Sequence, residues 1–207
     1  MMVLGLTGGE GAGKSRILGL FSEDYGAQVI QADLVARELE EPGQPGLTGL
    51  VSLFGNEILS PDGTLDRKRF ADRIFGNPEA LKRVNALIHP LTWNEIKCRI
   101  RESKADLVVV EAALFDERSR DICQYLVYVD TEDEVRIRRL MENRGYSREK
   151  CLGIMKNQAD RSRFEELADF VIDNSGPIDA ARKQIGQMLD QIKQQGKQMP
   201  PGATAER

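Results

Sequence analysis

One run of eight residues constrains this chain more than any other. Gly8-Gly9-Glu10-Gly11-Ala12-Gly13-Lys14-Ser15 reads G-x-x-x-x-G-K-S. Its glycines let the backbone wrap closely enough for several N–H groups to point at one anion. A helix opening near Lys14 turns the positive end of its dipole toward the same spot. The Lys14 ammonium adds a point charge for the outer phosphates, and the Ser15 hydroxyl is a hard oxygen suited to Mg²⁺. The pattern requires a strand before it and a helix after it. Val3 to Leu6 is a short apolar run, and Ile17, Leu18 and Phe21 follow at helical spacing. The run therefore predicts a nucleoside triphosphate site. Glu10 is out of character there, because a carboxylate repels phosphate; its side chain is expected to point outward.

Four further strands are predicted, at residues 27–30, 107–110, 125–129 and 170–172. Separated by helices, five such strands imply an α/β fold with a parallel, doubly wound sheet. Together with the phosphate loop this is the P-loop NTPase fold. Ligands collect at the carboxyl ends of such strands, which here carry the loop, Asp33, Glu111 and Asp130. Asp33 is expected beside the first strand. It reads equally well as the cap of a helix starting at Leu34 or as the base that takes a proton from an acceptor hydroxyl. Glu111 and Asp130 each read as a metal contact or as a structural strand-end residue. Residues 34–103 are mostly helical, broken at 43–46, 61–63 and 76–78, and look like an insertion of short helices. An amphipathic last helix ends in a polar stretch, residues 194–207, expected to be a disordered tail.

Charge and cysteine usage narrow the class. A formal net charge of −4 among 207 residues argues against nucleic acid as partner. Cys98, Cys123 and Cys151 are odd in number and widely spaced, which suits a reducing cytoplasm better than a disulfide framework. Neither a signal-peptide pattern nor an apolar stretch of membrane-spanning length is visible, so no membrane association is expected. Arg136, Arg138, Arg139, Arg144, Arg148, Arg161 and Arg163 crowd one segment with interspersed glutamates. For any one of them a solvated ion pair is the plain reading. The cluster as a whole suits a lid that carries arginines onto a transferring phosphate.

These residues also carry a family resemblance. Gly5-Leu6-Thr7-Gly8-Gly9 before Gly13-Lys14-Ser15 resembles the opening of the dephospho-CoA kinases. Val29-Ile30-Gln31-Ala32-Asp33 is similar to that family's V-I-D-A-D. Ile58-Leu59, Asp62-Gly63 and Leu65-Asp66-Arg67 resemble its I-L-x-x-D-G-x-L-D-R. Phe75, Pro78, Leu81, Asn85, Ile88, His89 and Pro90 fit V-F-x-D-P…L-N-x-I-x-H-P, and residues 168–176 match A-D-x-V-I-D-N-S-G.

The resemblance implies transfer of the ATP γ-phosphoryl group to the ribose 3′-hydroxyl of dephospho-CoA, with Mg²⁺. It implies Asp33 as base, Lys14 and Arg139 as phosphate contacts, and Gly8, Gly9, Gly11, Ala12, Gly13, Ser15, Arg16 and Asn174 around ATP. Thr7, Arg67 and His89 would lie toward the acceptor; His89 could otherwise simply cap the preceding helix. By the same resemblance residues 1–33, 105–130 and 165–193 form the nucleotide core, 34–104 the CoA-binding domain and 131–164 the lid. A cytoplasmic monomer or small homo-oligomer is expected. Several positions depart from the pattern. Gln31 replaces an acid, Phe164 and Glu165 stand where Lys-Arg is common, and residues 111–117 fit D-V-P-L-L-F-E only loosely. Arg161 and Arg163 are candidates for the missing positive charge.

Overall fold

The computed structural model describes residues 1–113, 115, 121–158 and 161–198. Leu114, Asp116 and Glu117 of the loosely matching segment, and residues 199–207 of the expected tail, lie outside them. The five strands are β1 (Met2–Gly8), β2 (Gln28–Gln31), β3 (Leu107–Glu111), β4 (Tyr125–Asp130) and β5 (Phe170–Asp173). All pair in parallel, in the order β2-β3-β1-β4-β5. Alternate side chains of the central strands go to opposite faces, as a period of two requires. Leu4, Leu6, Val109, Val127 and Val129 meet α1 (Lys14–Tyr25) and α9 (Ile178–Gln198) through Ile17, Phe21, Ile185 and Leu189. Val3, Val108, Val110 and Leu126 meet the other layer, including Val35, Ile96 and Ile100. Burying each such aliphatic side chain is worth about 1.5–3 kcal/mol, so a sheet covered on both faces accounts for the near-continuous apolar strands.

The order corrects one expectation. β3 lies between β1 and β2, so the Asp33 segment is not beside the first strand but one strand removed. Strand spacing along a chain says nothing about which crossover places which strand in the middle. The last helix is a second correction. It continues to Gln198, past the residue at which the irregular tail was expected to begin. The residues from Gln194 onward are polar, but glutamine and lysine are good helix formers, so polarity alone did not end the helix.

The inserted region holds α2 (Ala32–Leu39), α3 (Pro45–Phe54), α4 (Arg67–Ile74) and α5 (Pro78–Glu102). Leu50, Ile58, Phe70, Val84 and Ile88 give it a core of its own. The Ile58–Arg67 motif is readable residue by residue. Ile58 is fully buried, and Leu59 bridges Leu65 across a tight turn. Asp62 Oδ1 closes that turn by accepting from Thr64 N–H (3.0 Å) and Thr64 Oγ1 (2.7 Å), which holds its carboxyl below the usual range. Asp66 then caps α4, accepting from the N–H groups of Lys68 and Arg69.

α5 runs unbroken through Pro90, so His89 does not cap a helix; the N-cap of α5 is Asn77, whose side chain accepts from Ala80 N–H. Pro90 removes one intrahelical donor, but Ala86 and Pro90 are both exposed, so water can reach the freed Ala86 carbonyl.

Candidate active site

β1 ends at Gly8 and α1 begins at Lys14, and the loop between them is held by its neighbours. Gly11 and Gly13 have φ of 82° and 85°, a region that costs any residue with a Cβ. A Cβ on Gly13 would also meet Asn174 Nδ2 at 2.5 Å. Ala12, buried, turns its carbonyl to three donors: Asn174 Nδ2 (2.8 Å), Thr131 Oγ1 (3.0 Å) and Arg139 Nη1 (3.4 Å). Arg139 Nη2 donates to Asn174 O at 2.8 Å. The end of β5 and the helix α6 (Asp133–Arg144) therefore lock the loop's curvature from behind.

Lys14 Nζ donates to Gly8 O at 2.9 Å and lies 3.7 Å from Glu111 Oε1. Glu111, at the end of β3 and 8% exposed, also accepts from Gln31 Nε2 at 3.4 Å. So the residue that replaces an acid is turned onto the acid that remains. A buried carboxylate paired this way is far better satisfied than two carboxylates in contact.

In front of the loop is a cleft of about 650 Å³. Of the residues expected around ATP, Gly9, Gly11, Gly13, Lys14, Ser15, Arg16, Arg139 and Asn174 line it, joined by Glu111, Arg138 and Arg144. Gly8 and Ala12 do not line it: Gly8 O accepts from Lys14 Nζ, and Ala12 is buried. Burial, and then the nearby Arg138 and Arg16, hold the Arg139 guanidinium below its ordinary pKa; at neutral pH it remains a cation. An N-terminal helix end, one lysine and several arginines around one cavity suit a polyanion.

None of the expected acceptor-side residues, Thr7, Asp33, Arg67 and His89, lines this cleft. Asp33 is exposed in the first turn of α2, where the N-cap position is Gln31, so the reading of Asp33 as the cap does not hold. Thr7 Oγ1 donates to Ala113 O at 3.1 Å. Arg67 Nη1 pairs with Glu40 Oε2 at 2.9 Å, joining α4 to the end of α2. His89 is exposed on α5.

Of two further acids, one is engaged within the fold and the other departs from expectation. Asp130 is bridged by Arg161 Nη2 at 2.6 Å, and Arg161 also pairs with Glu165. Arg161 is thus spent on side chains of its own fold. Glu10 does not point away from the site; its Oε1 lies 3.0 Å from Arg144 Nη1. Nothing in local sequence reveals this pair, because 134 positions separate the partners.

Arg136 is a loop contact that sequence reading left inside a general cluster. Its Nε donates to Glu10 O (3.0 Å) and its Nη2 to Gln158 Oε1 (2.5 Å). The glycine at position 9 is the available signal: a Cβ there would sit 2.3 Å from Arg136 Nη2.

Phe164 explains the departure from Lys-Arg. It is buried and stacks on Tyr128, ring centroids 5.0 Å apart and 5° from parallel, which seats α8 (Arg161–Leu167) on β4. Burial also pushes the Tyr128 hydroxyl up to about 12, so it stays protonated through the working pH range. Phe164→Ala is expected to cost about 3 kcal/mol of stability in urea titration. A loss under about 0.5 kcal/mol would mean that α8 is held by its ion pairs instead.

The family model for dephospho-CoA kinase matches residues 2–180. The chain belongs to the dephospho-CoA kinase family. Among its relatives, the dephospho-CoA kinase of Corynebacterium jeikeium is 39% identical over 189 residues, covering 89% of this chain and 96% of the relative. That of Escherichia coli K12 is 35% identical over 192 residues, covering 90% of each. A crystal structure of a Thermus thermophilus protein superposes with a TM-score of 0.78 at 27% identity, covering 92% of this chain and 97% of that one. A shikimate kinase from Bacteroides thetaiotaomicron shares the fold at a TM-score of 0.56 and 15% identity, covering 93% and 98%. The parallel five-stranded sheet with its phosphate loop is therefore a P-loop kinase fold of this family.

Proposed function

We propose that this chain transfers the γ-phosphoryl group of ATP to the ribose 3′-hydroxyl of dephospho-CoA, giving CoA and ADP. What carries the reading is the family match over residues 2–180 laid on a cationic cleft built around Lys14. In the reaction the acceptor oxygen forms a new P–O bond, the bond from the γ-phosphorus to the β,γ-bridging oxygen breaks, and the hydroxyl proton leaves. Asp33 accepts that proton. Lys14 and Arg139 hold the phosphate oxygens, where positive charge lowers the barrier as the leaving group gains charge. Gly9, Gly11, Gly13 and Ser15 present backbone N–H groups to the phosphates, and Arg16 and Asn174 flank the nucleotide.

The donor set also suits Mg²⁺, since Ser15 and the Glu111 carboxylate are hard oxygens on the cleft, and Mg²⁺ binds through few protein ligands plus phosphates. When bound, the ion neutralises phosphate charge. Residues 34–104, with Arg67 and His89, take the acceptor; Thr7 contributes from the end of β1, and residues 131–164 close as a lid. The enzyme works in the cytoplasm as a monomer or small homo-oligomer.

An ADP-release assay with ATP and Mg²⁺ against an acceptor panel tests this. Dephospho-CoA is expected to exceed AMP and shikimate in kcat/KM by about 10²-fold or more. Absence of turnover with folded protein, or a better monophosphate acceptor, would overturn it.

A further inference from the structure

The phosphate loop carries a carboxylate that phosphate chemistry does not want, and the structure shows what becomes of it. Glu10 has no freedom to turn its backbone away. Its carbonyl accepts from Arg136 Nε at 3.0 Å, and its N–H donates to Gln158 Oε1 at 3.3 Å. The carboxylate is thus kept at the rim of the cleft that Lys14, Ser15 and Arg139 also line. There it meets the last residue of α6, with Arg144 Nη1 3.0 Å from Glu10 Oε1.

The two side chains are 30% and 56% exposed, so the pair itself contributes little to folding stability. Its effect on a bound polyanion is another matter. Charges on one cleft act together over roughly the screening length of about 8 Å at physiological salt. An uncompensated Glu10 would therefore repel the nucleotide phosphates.

We propose that Arg144 sets the affinity of the cleft for nucleoside triphosphate by cancelling Glu10, and not by binding phosphate itself. This rests on nucleotide binding at the loop and assigns Arg144 as a positioning and charge-matching residue. The alternative, a direct phosphate ligand, differs in one respect that can be measured. If Arg144 acts through Glu10, removing both charges restores what removing Arg144 alone destroys.

The experiment is calorimetric titration of the full chain with Mg-ATP for the parent, Arg144→Gln, Glu10→Gln and the double variant. Arg144→Gln is expected to weaken ATP binding roughly three- to tenfold, the effect of one unbalanced charge at a cleft. Glu10→Gln binds ATP as tightly as the parent or more tightly, and the double variant returns to within about twofold of the parent. Raising KCl shrinks the Arg144→Gln defect, as screening demands. In turnover the Arg144→Gln change falls on KM for ATP more than on kcat.

A double variant as weak as Arg144→Gln would overturn the proposal in favour of direct phosphate binding. So would an Arg144→Gln protein that binds like the parent, or a Glu10→Gln protein that binds ATP less well. The last result stands alone should Arg144→Gln fail to fold. A parent chain that binds no ATP would instead refute nucleotide binding at the loop, a separate outcome.

Discussion

Lys14→Ala lowers kcat with ATP and dephospho-CoA by about 10²- to 10³-fold, the loss expected when a positioned charge on the transferring group is deleted. The ammonium has no substitute at its position. It sits at the first turn of α1, donates to Gly8 O at 2.9 Å and faces Glu111 at 3.7 Å. Arg138 and Arg139 reach the cleft from α6, and Arg139 is already held on Ala12 O and Asn174 O rather than on Gly8 O and Glu111. The same substitution leaves the buried Glu111 without its Lys14 counter-charge, and that costs stability for a reason unrelated to catalysis. The two effects separate cleanly. Lys14→Ala with Glu111→Gln recovers most of the lost stability in urea titration while turnover stays low. Recovery of turnover in that double variant would mean that Lys14 serves only to satisfy Glu111.

Asp33→Asn is the second large effect. Asparagine keeps the shape and hydrogen-bonding span of the side chain but cannot accept the hydroxyl proton, so kcat should fall about 10²- to 10⁴-fold. Stability should hardly move. Asp33 is exposed in the first turn of α2, where its charge adds at most about 1 kcal/mol through the helix dipole. Thermal denaturation of the variant close to the parent, with turnover gone, is the expected pair of observations. Near-normal turnover would reduce Asp33 to a helix-stabilising residue.

Much of the fold was legible because its signals are local. Gly8 to Ser15 specifies a strand, a turn with two left-handed glycines and a helix start, all within a few residues. The Ile58–Arg67 run likewise encodes a buried anchor, a turn closed by Asp62 and a cap at Asp66. The rest depended on partners far apart in the chain. Sequence left Glu111 open between a metal contact and a structural strand-end residue, and its pairing with Lys14 and Gln31 appears only in the fold. His89 before Pro90 reads as a possible helix cap, yet Ala86 and Pro90 are both exposed and α5 continues through them. Phe164 reads as a lost charge until Tyr128 is seen beneath it.

By itself the sequence determined the loop proposed to hold the phosphates. Backbone N–H groups on a glycine turn, a helix N-terminus and one lysine need only consecutive residues to converge. Tertiary structure alone decided how the remaining charges were spent. Strand order put β3, and with it Glu111, between the loop and the Asp33 segment. Docking of α6 brought Arg139 to the loop's carbonyl and Arg144 to Glu10, while α8 committed Arg161 to Asp130. Ion pairs fall off with distance in space and not along the chain, so only the packed fold could show which arginines face the cleft and which are already held.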